Sequence, residues 1–166
     1  MTDNIILRRF EKTDVPDIHK IYSYYVNNSV VTFDIDAPSE KAIEKKYSDI
    51  AKKDHPIIIA QVNNEVVGFA YASNFRPRPA YRFTCENAIY IDNNMVGRGI
   101  GDLLLAELLK QAKDFGFNQM IAIVTASANS SIKLHKKHGF EILGEFPELG
   151  YKFDKWHSII HMQRKL

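Results

Sequence analysis

The sequence predicts a mixed α/β fold in one domain spanning residues 1–166, and three observations carry that expectation. Two apolar runs in the first half, "PIIIAQV" and "EVVGFAYAS", flank Asn63-Asn64, a pair that tolerates positive φ and so favours a tight hairpin. The second half alternates strand-like and helix-like segments, with glycines at the helix ends. Of the 166 residues, 45% are apolar, enough for a sizeable core, and no internal repeat or low-complexity stretch breaks the chain.

Taken in order, "IILRRF" alternates well enough for a first strand. "TDVPDIHKIYSYYVNN" reads as a helix capped by Thr13 or Asp14, with Pro16 in its first turn. Ile18, Ile21, Tyr22 and Tyr25 stand at i, i+3, i+4 and i+7 and give it one buried face. A second helix follows Ser39, through "EKAIEKKYSDIAKK". After the hairpin, "YRFTCENAIYID" is the next strand, and its apolar "AIYI" end places it centrally in the sheet. "DLLLAELLKQAKDFG" is an amphipathic helix ending at Gly116, "QMIAIVT" a buried strand, and "SSIKLHKKHG" a short helix stopped by Gly139. The remainder, "FEILGEFPELGYKFDKWHSIIHMQRKL", reads as two strands joined around "PELG".

Composition narrows the function. The 22 basic and 20 acidic side chains are interspersed, leaving a net charge of +2, which is poor support for nucleic acid binding. The longest apolar runs are too short to cross a membrane, and "MTDNIILRRF" lacks the basic-then-apolar layout of a secretion signal, so the expected location is the cytoplasm. One cysteine, Cys85, cannot form an internal disulfide or build a Cys-based zinc site. His157 and His161 are four apart, but on a strand such a pair would not meet as it does on a zinc-binding helix, so no metal is expected.

"VGRGIG" follows a strand and opens a helix, so Gly97, Gly99 and Gly101 let the backbone approach a ligand while the helix amino terminus offers free N–H groups. Such a site favours phosphate. A P-loop would need Lys-Ser or Lys-Thr after the last glycine, where Asp102-Leu103 stands. A dinucleotide site would need G-x-G-x-x-G and an acid ending the next strand, where this chain has G-x-G-x-G and "IVTAS". The third solution is the acetyl-CoA pyrophosphate site of the GNAT acyltransferase superfamily, Q/R-x-x-G-x-G/A, which Val96 to Gly101 resembles, with Val96 in place of the usual Arg or Gln.

"SSIKLHKKHGF" resembles the later helix of the same superfamily, with His135 four residues before Gly139-Phe140, where the family keeps the residue that faces the CoA sulfur. Asn129 resembles the motif's cofactor-contacting asparagine, at a spacing one residue short. The resemblance implies an α/β (α+β) GNAT acyl-CoA N-acyltransferase fold: a mixed, mostly antiparallel central sheet flanked by helices, with strands splayed at the cofactor site. It also implies acetyl-CoA as co-substrate. Ile89, Tyr90 and Ile91 would pair with the pantetheine arm, and Gly97, Arg98, Gly99, Ile100, Gly101 and Asp102 would hold the pyrophosphate.

More narrowly, "FRPRPAYRFTCEN", "VGRGIG" and "GYKFDKWH" resemble blocks of the phosphinothricin acetyltransferase family, across nearly the whole chain. That family transfers acetyl to the α-amine of phosphinothricin, methionine sulfoximine or methionine sulfone, is typically dimeric, and confers resistance to such compounds. By this resemblance Glu86 is the general base and His135 protonates or otherwise stabilises the departing thiolate. Arg76 and Arg78 hold the substrate carboxylate; Phe33, Tyr81, Phe83 and Asn87 complete the pocket. A backbone N–H near Ile91 would stabilise the oxyanion. Cys85 as an acetylated nucleophile is the rival mechanism, yet on an alternating strand it points away from Glu86. Two other functions remain: acetylation of a protein amino terminus or lysine, and a non-catalytic acyl-CoA sensor.

Overall fold

The computed structural model describes residues 4–166; residues 1–3, part of the stretch read against a secretion signal, lie outside the described residues. Among the described residues seven strands form one sheet: β1 (Ile6–Arg9), β2 (Ile57–Val62), β3 (Glu65–Asn74), β4 (Thr84–Ile91), β5 (Gln119–Thr125), β6 (Glu141–Lys152) and β7 (Lys155–Lys165). Four helices flank it: α1 (Val15–Asn28), α2 (Glu40–Ala51), α3 (Ile100–Phe115) and α4 (Asn129–Lys137). The strand order is β1-β2-β3-β4-β5-β7-β6, and every neighbouring pair is antiparallel except β4 with β5.

Alternation along the central strands sorts the core into two layers. Ile58, Ala60, Ala70, Ala72 and Cys85 face α3, whose Leu104, Leu105 and Leu108 are fully buried. Ile57, Ile59, Phe69 and Tyr71 face α1 and α2, packing with Ile18, Ile21, Ile43 and Tyr47. Burial on both faces explains why these strands read as nearly continuous apolar runs. Each fully buried leucine or isoleucine contributes about 2 kcal/mol.

The hairpin turns where the sequence placed it, with Asn63 and Asn64 at φ 50° and 66°. Ser39 caps α2 by accepting from the Ala42 N–H at 3.2 Å. Asp14 ends up at the cap position of α1, but its carboxylate is spent earlier in the chain. It takes the Glu11 N–H at 2.8 Å and the Arg8 guanidinium bidentately, at 2.5 and 2.8 Å.

Two expectations change. The fourth strand begins at Thr84, because Pro79–Tyr81 forms a 3₁₀ turn and prolines 77 and 79 cannot donate to a ladder. The last two strands join at Phe153-Asp154, both left-handed at φ 52° and 57°, and not around "PELG". "PELG" is instead a bulge within β6, where the pairing with β7 shifts between Phe146 and Gly150. Gly150 answers to packing: a Cβ there would lie 2.2 Å from the Phe33 ring.

The feature that positions the site is a parting of strands. β4 and β5 pair at Thr84–Gln119, Cys85–Met120 and Glu86–Ile121, and beyond that point they separate. Each is held by its outer neighbour instead: β4 by β3 as far as Ile91, and β5 by β7 as far as Thr125. A wedge opens between them, in the middle of the sheet. No described helix is long and apolar enough to cross a membrane.

Candidate active site

The wedge is the mouth of a cleft of about 460 Å³. Glu86, Asn87 and Ile89–Ile91 of β4 form one side, Ile123–Thr125 of β5 the other, and Gly97, Ser131 and His135 reach in from the glycine turn and α4. Phe33 closes one end. Its loop is pinned across the sheet, since the Thr125 hydroxyl donates to the Val30 carbonyl at 2.5 Å and Lys152 Nζ to the Thr32 carbonyl at 2.9 Å.

Hydrogen-bond alternation decides which backbone groups of β4 face the gap. Phe75 N–H bonds to the Thr84 carbonyl and Asp92 N–H to the Val67 carbonyl, so in this register residues 86, 88 and 90 exchange their bonds with β3. Asn87, Ile89 and Ile91 therefore turn their N–H and C=O groups toward the wedge. The Ile91 carbonyl is met there by the Tyr25 hydroxyl, which donates to it at 2.6 Å. Tyr90, expected to pair with a cofactor arm, has its backbone committed to β3 and its ring packed against Tyr22, Tyr25 and Phe69.

Glu86 and Asn87, adjacent on the strand, point to opposite faces. Burial pushes the Glu86 carboxyl above the ordinary glutamate value, while the positive charges of Arg76 and Lys46 pull it back part of the way. His135 is 4% exposed. Its Nδ1 lies 2.7 Å from the Ser131 carbonyl, an oxygen that can only accept, so Nδ1 carries the proton in the neutral ring. Nε2 then presents a lone pair to the Asn87 amide, whose Nδ2 donates at 3.2 Å. Burial lowers the imidazole below the ordinary histidine value, with the Ser131 carbonyl opposing that shift.

The glycine turn has the conformation its sequence asks for. Gly97 and Gly99 are left-handed at φ 79° and 80°, and Gly99 caps α3. Leu103 is the first N–H in the helix to find a carbonyl a turn earlier, at Gly99, so the N–H groups of Ile100, Gly101 and Asp102 point out of the helix end. A Cβ on Gly101 would approach Ile91 Cδ1 at 3.1 Å and Leu134 Cδ2 at 3.3 Å, so glycine keeps α3 close to β4 and α4. The Asp102 carboxylate turns aside: it accepts from Lys137 Nζ at 2.7 Å and faces His138 Nε2 at 2.9 Å, clasping α3 to α4. Arg98 is exposed on the turn, and Asn129 is exposed at the start of α4, next to Ala128 and Ser130 in the cleft wall.

The arginine loop is not gathered with these groups. Arg76 and Arg78 line a shallow groove with Lys53, Asn74 and Arg82, outside the cleft. Arg76 lies 5.0 Å over the Phe75 ring, and only its charge reaches Glu86. Tyr81 leans edge-on against Phe75 and Phe83 lies under Arg82; both are exposed and neither lines the cleft. Prolines 77 and 79 stiffen the loop in this outward course. Cys85 is fully buried on the α3 side, its thiol pushed up to about 12 by burial and its S–H directed at the Gln119 carbonyl, so it has no path to a substrate. Among the described residues no group of His, Cys, Asp and Glu could hold a metal.

The sequence reading did not assign Tyr25, Tyr71, Thr125 or Ser131 to the site. Ser131 was reachable in principle, standing one helical turn before His135; Tyr25 was read only as part of a buried helix face.

Comparison with known proteins points the same way as the geometry. The sequence model of the Acetyltransferase (GNAT) family matches residues 17–140. The chain is 33% identical over 154 residues to a phosphinothricin N-acetyltransferase of Alcaligenes faecalis, covering 92% of this chain and 78% of that one. It is also 33% identical over 155 residues to an L-methionine sulfoximine/L-methionine sulfone acetyltransferase of Pseudomonas aeruginosa, covering 92% and 90%. Among solved structures, a GNAT superfamily phosphinothricin acetyltransferase from Sinorhizobium meliloti in complex with AcCoA superposes with a TM-score of 0.96 at 39% identity, over 100% of this chain and 89% of that one.

Proposed function

Because the chain belongs to the GNAT acetyltransferase family, we propose that it transfers acetyl from acetyl-CoA to the α-amine of small amino-acid-like substrates such as phosphinothricin, methionine sulfoximine or methionine sulfone. The observation that carries this reading is the meeting, at one wedge, of the Glu86 carboxylate with strand backbone left free by the parting of β4 and β5. The residues fit acetyl-CoA on two counts. Ile89 and the Ile91 N–H offer strand edge without a partner strand to an extended amide arm, the Ile91 carbonyl already accepting from Tyr25, and the start of α3 offers N–H groups to a pyrophosphate. No metal is part of the reading.

The amine arrives as an ammonium and cannot attack until it loses a proton. Glu86 accepts that proton, directly or through one water, which its raised pKa favours. Asn87 closes the last rung of the β4–β5 ladder; of the backbone donors beyond it, Ile89 N–H is three residues along β4 from Glu86, about 10 Å, against about 17 Å for Ile91. Ile89 is therefore the donor that holds the oxyanion, two residues nearer the base than the position expected from sequence. As the tetrahedral intermediate collapses the C–S bond breaks, and the departing thiolate takes up the second proton, which the attacking nitrogen sheds on forming the amide; His135, with its proton on Nδ1 and its Nε2 lone pair accepting from the Asn87 amide, shapes the cleft wall and supplies no proton at neutral pH. Transfer is direct, in a ternary complex; the burial of Cys85 removes the acyl-enzyme route.

Arg76 and Arg78 remain the partners of the substrate carboxylate in this proposal, a role that requires their loop to turn inward or a second chain to bring it to the cleft. A homodimer would serve both needs. β6 is a sheet edge, and Leu143, Leu149, Tyr151, Phe153 and Trp156 of the last hairpin are exposed, Trp156 to 60%. The pinned Phe33 loop narrows the acceptor end and supports a small acceptor over a polypeptide. A cytoplasmic setting, with residues 1–166 as one catalytic domain without nucleic acid or membrane partners, and resistance to such amino acid analogues, complete the proposal.

The test is thiol release from acetyl-CoA with a panel of phosphinothricin, methionine sulfoximine, methionine sulfone and ordinary amino acids. Turnover on the first three is expected. Silence across the panel, despite acetyl-CoA binding, would overturn the substrate class.

A further inference from the structure

Next to the cleft wall that carries Glu86, and reaching it through Tyr71, stands an exposed cation from an element that no motif marked. Lys46 of α2 donates from Nζ to the Tyr71 hydroxyl at 2.9 Å, and its ammonium lies 5.0, 5.7 and 5.8 Å from the ring centroids of Tyr71, Tyr47 and Tyr22. Three rings and a hydroxyl thus fix one charge. The register of β3 with β4 sets Ser73 opposite Glu86 and Tyr71 opposite Ala88, so Tyr71 is the diagonal neighbour of Glu86 on the same sheet face. Tyr71 and Glu86 both line the cleft.

We propose that Lys46 is a positioning residue for the base, held by Tyr71 so that its charge keeps the Glu86 carboxylate ionised while substrate is bound. The proposal rests on Glu86 being the base. The other charge acting on that carboxylate is Arg76, from the loop after β3; Tyr90 lies on the same sheet face four residues along β4, with Tyr22 of α1 edge-on against it and Asp34 accepting from the Tyr22 hydroxyl. His135 lies across β4 with Asn87, on the opposite face. Arg76 is the stronger opposing charge in the free protein. A substrate carboxylate bound by Arg76 would neutralise it, leaving Lys46 as the cation that still opposes burial of Glu86.

That asymmetry has a kinetic signature. The acid limb of kcat/KM reports the free enzyme, and that of kcat reports the substrate complex. In the wild type the kcat limb therefore lies at higher pH than the kcat/KM limb, and in Lys46→Met both limbs move to still higher pH by a similar step. One pH unit below the wild-type limb, kcat falls about two- to fivefold beyond the wild-type loss, and the deficit closes at alkaline pH. Lys46→Arg restores the wild-type limbs. A purely structural role would change the melting temperature and not the limbs. If Lys46→Met leaves both limbs in place while Glu86→Gln abolishes turnover, the proposal fails and the base stands. If Glu86→Gln retains turnover with its acid limb intact, the base reading fails and takes this proposal with it.

Discussion

The Nδ1 of His135 lies 2.7 Å from the carbonyl oxygen of Ser131, one helical turn back, and this contact decides which edge of the imidazole carries the proton. The other edge, Nε2, meets the Asn87 amide inside the cleft. Sequence reasoning gave His135 a choice between donating a proton to the leaving thiolate and placing the sulfur. The tautomer and the burial both weigh against donation, because Nε2 would hold a proton only on an imidazolium that the site disfavours.

The first prediction concerns the ionisation of that ring. His135 should titrate below the ordinary histidine value, read by NMR of the imidazole resonances. The stability consequence has a definite sign. A folded-state value below the unfolded one means that the unfolded chain takes up the proton first, so the stability contribution is full at neutral and alkaline pH and is lost as pH falls through the ordinary histidine range. His135→Gln should flatten the fall of melting temperature from pH 7 toward pH 5.5. An imidazole that titrates above the ordinary value would reopen the proton-donor role.

Glu86 carries the second prediction, in which activity and stability separate. Glu86→Gln should lower kcat by about 10²- to 10⁴-fold. Its carboxyl is raised by burial, so at pH 8 the folded protein holds a charge where neutrality is preferred. The amide should therefore melt higher than wild type at pH 8. The advantage should shrink as pH falls and the wild-type carboxyl takes up its proton. Equal melting temperatures at every pH would argue that the carboxylate is fully solvated and unsuited to the base role.

Cys85 gives the third. A thiol raised to about 12 by burial and buried completely should resist alkylation by iodoacetamide in the native protein at pH 8 and react once the chain is unfolded. Cys85→Ala should keep kcat within about twofold while losing about 1 kcal/mol of stability, the removed sulfur having packed beneath α3. Loss of turnover in a folded Cys85→Ala protein would revive the acyl-enzyme route.

How much of this was legible follows from the range of the forces involved. Hairpins and helix ends are local: Asn63-Asn64 announces its own turn, and Gly116 at φ 105° and Gly139 at φ 79° end their helices because glycine accepts that conformation without a Cβ clash. Phe153-Asp154 adopts the same left-handed pair without any such signal, while the stronger one, Pro147 to Gly150, lies in a bulge whose Gly150 packs against the Phe33 ring, a contact across 117 positions of chain. Glu86 and His135, which the fold brings to one cleft, each sit inside a motif of the sequence. Lys46, Tyr71 and Tyr25 were not legible, since their partners lie 25 to 66 positions away and depend on how α1 and α2 dock on the sheet. The arginine loop fared worst. Its charges were plain from the sequence, and their outward course was not.

The last prediction separates the ligand role of the glycine turn from its structural role. Gly99 and Gly116 are both left-handed, at the two ends of α3, and a Cβ added to either meets nothing within 4 Å. Substitution by alanine is therefore charged only to the backbone, at about 1–2 kcal/mol for each. Gly99→Ala and Gly116→Ala should accordingly show similar falls in melting temperature. Only Gly99 stands where the free N–H groups of Ile100, Gly101 and Asp102 would receive a pyrophosphate, so Gly99→Ala alone should weaken acetyl-CoA binding, by about fivefold or more in calorimetric titration. Gly116→Ala is the control that carries the same backbone penalty without the ligand. If the two variants bind acetyl-CoA equally well, the turn serves only to pack α3 against β4, and the anion site must be sought elsewhere along the wedge.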